Sequence, residues 1–595
     1  MSDQTTLTLP EALNLAMSHQ KAGRLQQAEV IYQNILKAQP NHPAANHLLG
    51  VLAIQGGRYE VATSLIKKAI QCQPNIADFH LNLGSAYLLA KKFDQAITCF
   101  RQALTLQPNL AEAFCNLGIA LWETERWHDA IVSYNQALAF KPNYPTALFN
   151  LGLALANQGQ SEKALTYYQK SHEHLPNSYR YLSSYLFMLS HLRINDPGII
   201  IDTHQKMEQI HARVGRGKIQ PHDITARSAN PRLRIGYVSP DFRNHAVSYF
   251  IEPILRNHDR SRFEIFAYAE VSKPDATTHK LRSRVDTWRS TIKLSDEQLA
   301  KTIHADQIDI LVDLAGHTIN NRLTTFTYKP APIQATYLGY FATTGLKSMD
   351  YWITDTTIHP QDDMQWTTES LYRLPRCYMC YQPRAGLPEP VKSPRGDETV
   401  IFGSFNTMGK IMPKVLNAWC QILQRAPNSR LLLKNKMLGD KHLAEEMLAY
   451  FTHHGIEPKR IHLVARVPTY NDHMAMYSEM DIALDTFPYT GATTTADALW
   501  MGVPVVTLAG RHFVERMSLS LLSAVGHPEW SAENLDDYVD LAVDMAARGV
   551  RSSQERQALR QQMAASPLCD PQGMTQSLEE AYRKMWLMKV AEQEE

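Results

Sequence analysis

The chain has 595 residues, more than one packed core normally holds, so several domains are expected. Sixty basic residues against 59 acidic leave a net charge of +1, which offers no global attraction to nucleic acid or an anionic membrane. A content of 44% hydrophobic and 20% charged residues excludes wholesale disorder, and seven scattered cysteines exclude a disulfide scaffold and suit a reducing compartment. The opening MSDQTTLTLPEALNLAM lacks the basic segment and apolar core of an export signal, and no long apolar run follows. A cytoplasmic protein without a membrane span is expected.

The first third is periodic. Pro40, Pro74, Pro108, Pro142 and Pro176 are 34 residues apart, each followed by asparagine. Gly50, Gly84, Gly118 and Gly152 keep the same period, as do Ala28, Ala62, Ala96, Ala130 and Ala164. A 34-residue period with small residues at helix contacts and proline after the second helix is the tetratricopeptide pattern. About five repeats over residues 7–180 predict an α-helical superhelix. Its concave wall carries Asn82, Asn116 and Asn150, whose amides offer both a donor and an acceptor to an extended peptide backbone. The bland alternative is that each asparagine only bonds within the array. Cys72, Cys99 and Cys115 read as small buried residues. Residues 181–230 read as a helical adaptor and polar linker.

From Leu233 the pattern changes to short apolar strands separated by helical stretches. Segments 233–239, 263–269, 309–315, 333–339 and 350–354 predict one parallel sheet. After a Pro/Gly-rich joint, segments 400–405, 430–435, 461–465, 481–486 and 504–509 predict another. The expectation is two Rossmann-like lobes, 231–382 and 398–560, joined by a linker at 383–397 and followed by a helical region at 561–595. GxGxxG and GxxxxGK[ST] are both absent, which argues against a nicotinamide or flavin enzyme and a P-loop ATPase. Cys377 and Cys380 form a lone CxxC without two further zinc ligands, so packing is its simplest reading and no metal is expected.

Ligands of open α/β sheets sit at the carboxyl ends of strands. There the first strand runs into Asp241 and His245, suited to proton sharing and orientation beside a reaction centre. The strand near 313 runs into His317 and Thr318, candidates for the cleft or an acceptor site. Lys410 follows Phe405 where strand gives way to helix, where a cation can balance a diphosphate leaving group. In LDTFPYTGATTTADALW, Thr493, Thr494 and Thr495 start a helix whose amides and hydroxyls suit phosphate. Asp497 can accept the two hydroxyls of a ribose, or cap neighbouring amides. Together these point to a nucleotide-sugar site.

RIGYVSPDFRNHAVSYF, DILVDLAGHTINNRL, PAPIQATYLGY, SFNTMGKI and LDTFPYTGATTTADALWMGVPVVTLAG together resemble the protein O-glycosyltransferases that comprise the O-GlcNAc transferases and the Spindly O-fucosyltransferases. The resemblance implies a GT-B glycosyltransferase fold and a metal-independent, inverting transfer to Ser or Thr hydroxyls of proteins. It implies a role for His245 at the reaction centre, for Lys410 at the diphosphate, for Thr493 and Thr494 at the phosphates, for Asp497 at the ribose and for His473 in the nucleotide pocket. No cofactor is implied beyond the donor. HMAMYSEMDIALDTFPYTGATTT reads closer to the Spindly type. Thr469, Met476 and Asp309 stand where the animal O-GlcNAc transferases carry pocket lysine, arginine and histidine. These departures raise GDP-fucose above UDP-GlcNAc as the expected donor. Polypeptide substrates are the expected partners, and a homo-oligomer is compatible with the solenoid. The alternative of a different class is a scaffold that has lost activity; the retained Lys410, His245 and Asp497 speak against it.

Overall fold

In a computed structural model of the chain, the described residues are 7–594 except 177, 193–195, 216–218, 220–223, 225–230, 363–365 and 392–398. Most of the expected linker before Leu233, and the end of the one before the second sheet, lie outside them. The chain forms two compact units, Met1–Leu155 and Ala156–Glu595.

The first unit is a ladder of antiparallel helix pairs: Leu9–Lys21 with Leu25–Ala38, Pro43–Gln55 with Tyr59–Cys72, Ala77–Leu89 with Phe93–Leu106, and Ala111–Glu123 with Trp127–Phe140. The period has a packing cause. A Cβ on Gly50, Gly84 or Gly118 would lie 2.5, 2.6 or 2.5 Å from Ile66, Phe100 or Tyr134, so the glycine lets a large side chain of the paired helix reach its backbone. Ala28, Ala62, Ala96 and Ala130 are fully buried where the helices of a pair approach each other. Cys115 is buried as expected, but Cys99 is only partly buried and Cys72 is exposed. One further position recurs. Gly23, Gly57, Lys91, Glu125 and Gly159, again 34 apart, all have left-handed φ values of +74°, +70°, +59°, +61° and +77° in the turn between paired helices.

The second unit begins with helices. Ser161–His174, Tyr179–Leu192 and Pro197–Gly215 lead into a seven-stranded parallel sheet. Its strands are β1 (Leu233–Ser239), β2 (Phe263–Ala269), β3 (Thr287–Ser290), β4 (Ile310–Asp313), β5 (Ile333–Thr336), β6 (Tyr351–Asp355) and β7 (Ser370–Leu374), in the order 3-2-1-4-5-6-7. The second sheet comprises β8 (Val400–Ser404), β9 (Ser429–Lys434), β10 (Ile461–Val464), β11 (Ile482–Leu484), β12 (Val505–Leu508) and β13 (Ser531–Ala532), in the order 10-9-8-11-12-13. Strand order reverses between β1 and β4 and between β8 and β11. Those two switch points open crevices at the carboxyl ends of their strands.

Every strand expected from the sequence is present. The strands β3, β7 and β13, all at sheet edges, were not expected, because these three lack the continuous apolar run that marks a buried strand. Thr287–Ser290 contains no buried residue. The C-terminal helix Pro571–Glu594 returns to the first lobe. Tyr582 and Tyr237 share a hydroxyl–hydroxyl bond of 3.0 Å, and Glu579 accepts from the Asp259 amide at 2.8 Å and pairs with His258 at 2.9 Å. Among the described residues no helix is long and apolar enough to cross a membrane.

Phe100→Ala removes the ring that fills the Gly84 notch. It should destabilise the repeat array by about 3–5 kcal/mol, read by chemical denaturation of the full chain.

Candidate functional site

The site is assembled from both switch points of the second unit. In the second lobe, Asp485 follows β11 as a buried carboxylate. Its Oδ1 accepts from the amides of Thr486 (2.9 Å) and Gly491 (2.8 Å) and from Asn406 Nδ2 (3.3 Å). Its Oδ2 accepts from the hydroxyls of Thr507 (2.8 Å) and Ser518 (2.6 Å). Burial raises its pKa, and these donors with the nearby Lys410 charge oppose the rise. The 485–491 turn is thereby held rigid. A Cβ on Gly491 would lie 2.3 Å from Thr495 Oγ1 and 2.9 Å from Thr494 Oγ1, so glycine lets the turn close on the following helix.

That helix, Thr493–Trp500, starts at Ala492 with no side-chain cap, leaving its first amides available to an anion. Thr493 and Thr494 are half-buried at its start, and Thr494 Oγ1 donates to Asn406 Oδ1 at 3.0 Å. Thr495 departs from expectation. It is buried and its hydroxyl bonds Ser518 Oγ at 2.8 Å, so it belongs to the interior. The helical period turns the third threonine inward.

Lys410 is carried by the short 3-10 turn Met408–Lys410 after β8. Its ammonium donates to the Thr490 carbonyl at 2.7 Å and sits 3.8 Å from the centre of the Tyr489 ring. Burial pulls its pKa down to about 8, against the opposing pull of Asp485. The hydrogen-bond partner is thus a carbonyl and not a carboxylate, which leaves the positive charge available to a ligand. A second lysine, Lys434 at the end of β9, was not singled out from the sequence. It lies 5.1 Å from the Phe405 ring centre, and burial lowers its pKa to about 8 while Asp497 opposes the shift. A lysine closing an apolar strand gives no sequence signal beyond its place at the carboxyl end.

Asp497 is buried one turn into its helix. Its Oδ1 accepts from the phenols of Tyr381 (2.8 Å) and Tyr470 (3.0 Å), and its Oδ2 is 3.8 Å from His473 Nε2. His473 packs in an aromatic group with Phe405 and Tyr477, centroids 5.6 Å away in each case. Neither Tyr381 nor Tyr470 was expected at the site. Tyr381 arrives from the segment after β7, and Tyr470 opens the helix Tyr470–Ala475 that Thr469 caps. Thr469 itself is exposed, so it borders the pocket only through the tyrosine that follows it. Asp309 lies at the amino end of β4, where its Oδ2 accepts the Arg234 amide at 2.7 Å. That end of the sheet is opposite the cleft, so Asp309 carries no information about which donor the pocket takes.

In the first lobe, His245 is the N-cap of the helix Ala246–Asn257. Its Nδ1 accepts the Val247 amide at 3.3 Å and lies 3.6 Å from Asp241 Oδ2, while the side chain stays 39% exposed. Desolvation lowers its pKa, against the buried Asp241 and with the help of Arg243. A neutral ring accepting at Nδ1 carries its proton on Nε2, so it presents a donor. Asp241 is also gripped by Arg243 at 3.2 Å. The two lobes meet through Arg384, whose guanidinium lies 4.5 Å from the Tyr249 ring centre and 4.0 Å from that of Tyr470, and which donates to the Tyr249 hydroxyl. Tyr249 is one turn beyond His245, so the contacts run from the His245 helix to Asp497.

His317 and Thr318 are not brought to this cleft. His317 is buried, with Nδ1 bonded to Ser183 Oγ at 3.1 Å and Nε2 to the Thr344 carbonyl at 2.9 Å. Thr318 donates to the Ala315 carbonyl at 2.9 Å. The sequence could not reveal that the helix Tyr179–Leu192 covers this loop. Cys377 and Cys380 are buried, and desolvation pushes both thiols up to about 12. In the repeat array, Asn82 and Asn116 direct their Nδ2 atoms to the preceding repeat, at His47 Nε2 (2.9 Å) and Ser85 Oγ (3.4 Å). Asn150 is half-buried, within hydrogen-bonding reach of the Cys115 thiol.

Two parallel, doubly wound sheets with paired switch points and a cationic, amide-rich pocket define a two-lobed glycosyltransferase fold preceded by tetratricopeptide-like helices. The chain belongs to glycosyl transferase family 41, whose profile matches residues 169–388 and 392–578. A second profile, the cilia and flagella-associated protein 70 C-terminal domain, matches residues 3–208. The chain is 44% identical over 362 residues to the Arabidopsis thaliana probable UDP-N-acetylglucosamine–peptide N-acetylglucosaminyltransferase SPINDLY, covering 60% of this chain and 39% of that protein. It is 33% identical over 377 residues to the Arabidopsis thaliana protein of the same description named SEC, covering 61% and 38%. It thus spans about two fifths of the length of these curated relatives. A solved structure of a lysine-to-methionine mutant of the Thermobaculum terrenum O-GlcNAc transferase superposes with a TM-score of 0.78 at 32% identity, covering 87% of this chain and 98% of that one.

A Lys410 that balances a diphosphate, as expected from the sequence, must be protonated to do so. Because its pKa in the free protein is about 8, affinity for a nucleoside diphosphate should fall as pH rises through that value, by up to about tenfold per unit. Calorimetry across the alkaline range checks this, and Lys410→Ala should remove the break. His317→Ala strands the Ser183 and Thr344 partners inside the protein. It should lower thermal stability, by about 1–3 kcal/mol, and leave nucleotide affinity unchanged.

Proposed function

We propose that the protein is an inverting protein O-glycosyltransferase, moving a sugar from a nucleoside diphosphate sugar to Ser or Thr hydroxyls of polypeptides. The observation that carries this reading is the Lys410 ammonium, desolvated and bonded to a carbonyl beside an uncapped helix start. In the reaction so read, the acceptor oxygen attacks the anomeric carbon from the face opposite the diphosphate, the glycosidic bond to the phosphate breaks with its electron pair leaving on the diphosphate, and the hydroxyl proton passes to solvent water. Lys410 and the amides at Thr493 and Thr494 take up the charge that develops on the leaving diphosphate. Asp497, oriented by Tyr381 and Tyr470, accepts the ribose hydroxyls, with His473 and Lys434 beside it. His245, whose Nδ1 accepts the Val247 amide, donates from Nε2 to an oxygen of the sugar or diphosphate.

Residues 7–180 serve on this reading as the substrate-recruiting array, 181–230 as its adaptor, and 231–382 and 398–560 as the donor-binding lobes. With Nδ2 atoms engaged inside the array, the carbonyl oxygens of Asn82 and Asn116 are the atoms that accept peptide N–H groups. Greater similarity to SPINDLY than to SEC, 44% against 33%, supports GDP-fucose as donor given the resemblance in motif text. UDP-GlcNAc is the second reading, supported by the descriptions that these relatives carry.

Purified protein incubated with a panel of GDP- and UDP-sugars tests the donor. A deoxyhexose-sized mass increment on a protein acceptor supports GDP-fucose, an N-acetylhexosamine-sized one UDP-GlcNAc, and turnover of neither overturns the enzymatic reading. Lys410→Ala should lower turnover by about 10²–10³-fold. Replacing Asn82, Asn116 and Asn150 together by alanine should raise KM for protein acceptors about tenfold or more while donor hydrolysis is unchanged.

A further inference from the structure

The turn between paired helices is left-handed in each of the five repeats, and side chains are accepted there: Lys91 and Glu125 hold φ values of +59° and +61°. A Cβ on Gly23 or Gly57 would meet nothing within 4 Å. Conformation alone therefore does not require glycine at this position. Gly159 differs in what it touches. A Cβ there would lie 2.5 Å from the Ile411 carbonyl oxygen and 3.0 Å from that of Met408. Reciprocally, a Cβ on Gly409 would lie 2.7 Å from the Ala156 carbonyl oxygen. Two backbone segments thus touch with no side chain between them. One is the turn before the helix Ser161–His174, and the other is the 3-10 turn that carries Lys410.

The contact bears on the lysine directly. The Lys410 amide donates to the Thr407 carbonyl at 2.9 Å, so the root of its side chain is fixed by the segment Gly159 abuts. Its tip is held by the Thr490 carbonyl and the Tyr489 ring. His191, from the helix Tyr179–Leu192, packs 5.7 Å from that ring, and Glu162, three residues beyond Gly159, is electrostatically coupled to Lys414. Helices preceding the first lobe thus reach the surroundings of Lys410, at the Tyr489 ring and at Lys414.

We propose that the turn Ala156–Gln160 is a positioning element for Lys410, with Gly159 and Gly409 as the positioning residues that let the last repeat turn press on the diphosphate site. The inference rests on the reading of Lys410 as the counter-charge of the diphosphate. A shift of a fraction of an ångström at the root of a charged side chain is enough to weaken its grip on an oxyanion.

The test uses the full chain with Gly159→Ala, Gly409→Ala, Gly57→Ala and Lys410→Ala. Each variant is checked for folding by circular dichroism and titrated with UDP and GDP across the alkaline range. Gly159→Ala should weaken binding of the preferred diphosphate by about 5- to 20-fold and move the alkaline break to higher pH, because a lifted turn admits water to the ammonium. Gly409→Ala, approaching the same contact from the other side, should do likewise, and it carries the test if Gly159→Ala is unfolded. Gly57→Ala, with the same backbone strain and no neighbour, should match the unaltered protein. Unchanged affinity in the Gly159 and Gly409 variants, with binding lost in Lys410→Ala, overturns the positioning role alone. Weaker affinity with an unmoved break overturns it too, as general loosening. Unchanged binding in Lys410→Ala overturns the reading of the lysine itself.

Discussion

The buried carboxylate of Asp485 is the interaction on which the candidate site depends. It follows the strand at the second switch point and draws donors from four separate places: the turn that follows it, the loop after β8, strand β12 and the helix Phe513–Val525. A buried carboxylate is tolerated only where such donors converge, so the requirement to satisfy it draws these segments into one geometry. The same turn supplies the Thr490 carbonyl that anchors Lys410 and ends at the uncapped helix start. One buried acid thus sets the position of the Lys410 ammonium and of the uncapped helix start together.

A second set of polar contacts fixes the helices that lead into the first lobe. Ser183 meets His317, His204 reaches the Thr343 carbonyl at 3.1 Å, and His211 meets the Thr324 hydroxyl at 3.0 Å. Burial holds His204 and His211 down to about 4, so these rings act as neutral hydrogen-bonding groups at ordinary pH. This accounts for a histidine of strand-exit sequence that sits away from the cleft. His317 has the residue type and loop position of a catalytic group, but both its nitrogens are engaged under a helix contributed from more than a hundred residues earlier.

Legibility in the sequence followed the range of the interaction. The repeat array could be read because each glycine meets its partner side chain sixteen residues later, and that spacing recurs. The central strands could be read from continuous apolar runs, whereas β3 at the sheet edge, half exposed, could not. Lys410, Thr494 and Asp497 were visible because loop and helix start are adjacent in the chain. Tyr381, Tyr470 and Lys434 were not, since each reaches the pocket from a separate element with no local pattern to mark it.

The sequence by itself determined the succession of a 34-residue helical ladder and two parallel α/β lobes, together with the family and the turn whose residues were singled out as a candidate anion site. These rest on period, on apolar runs and on contiguous motifs, all of which are local. Only the tertiary structure decided which of three adjacent threonines turns inward, that Asp497 is held by two phenols, and that His317 belongs to the interior. Tertiary packing likewise brought the turn at Gly159 against the backbone that carries Lys410. Those outcomes depend on which segments, distant in the chain, exclude water from one another.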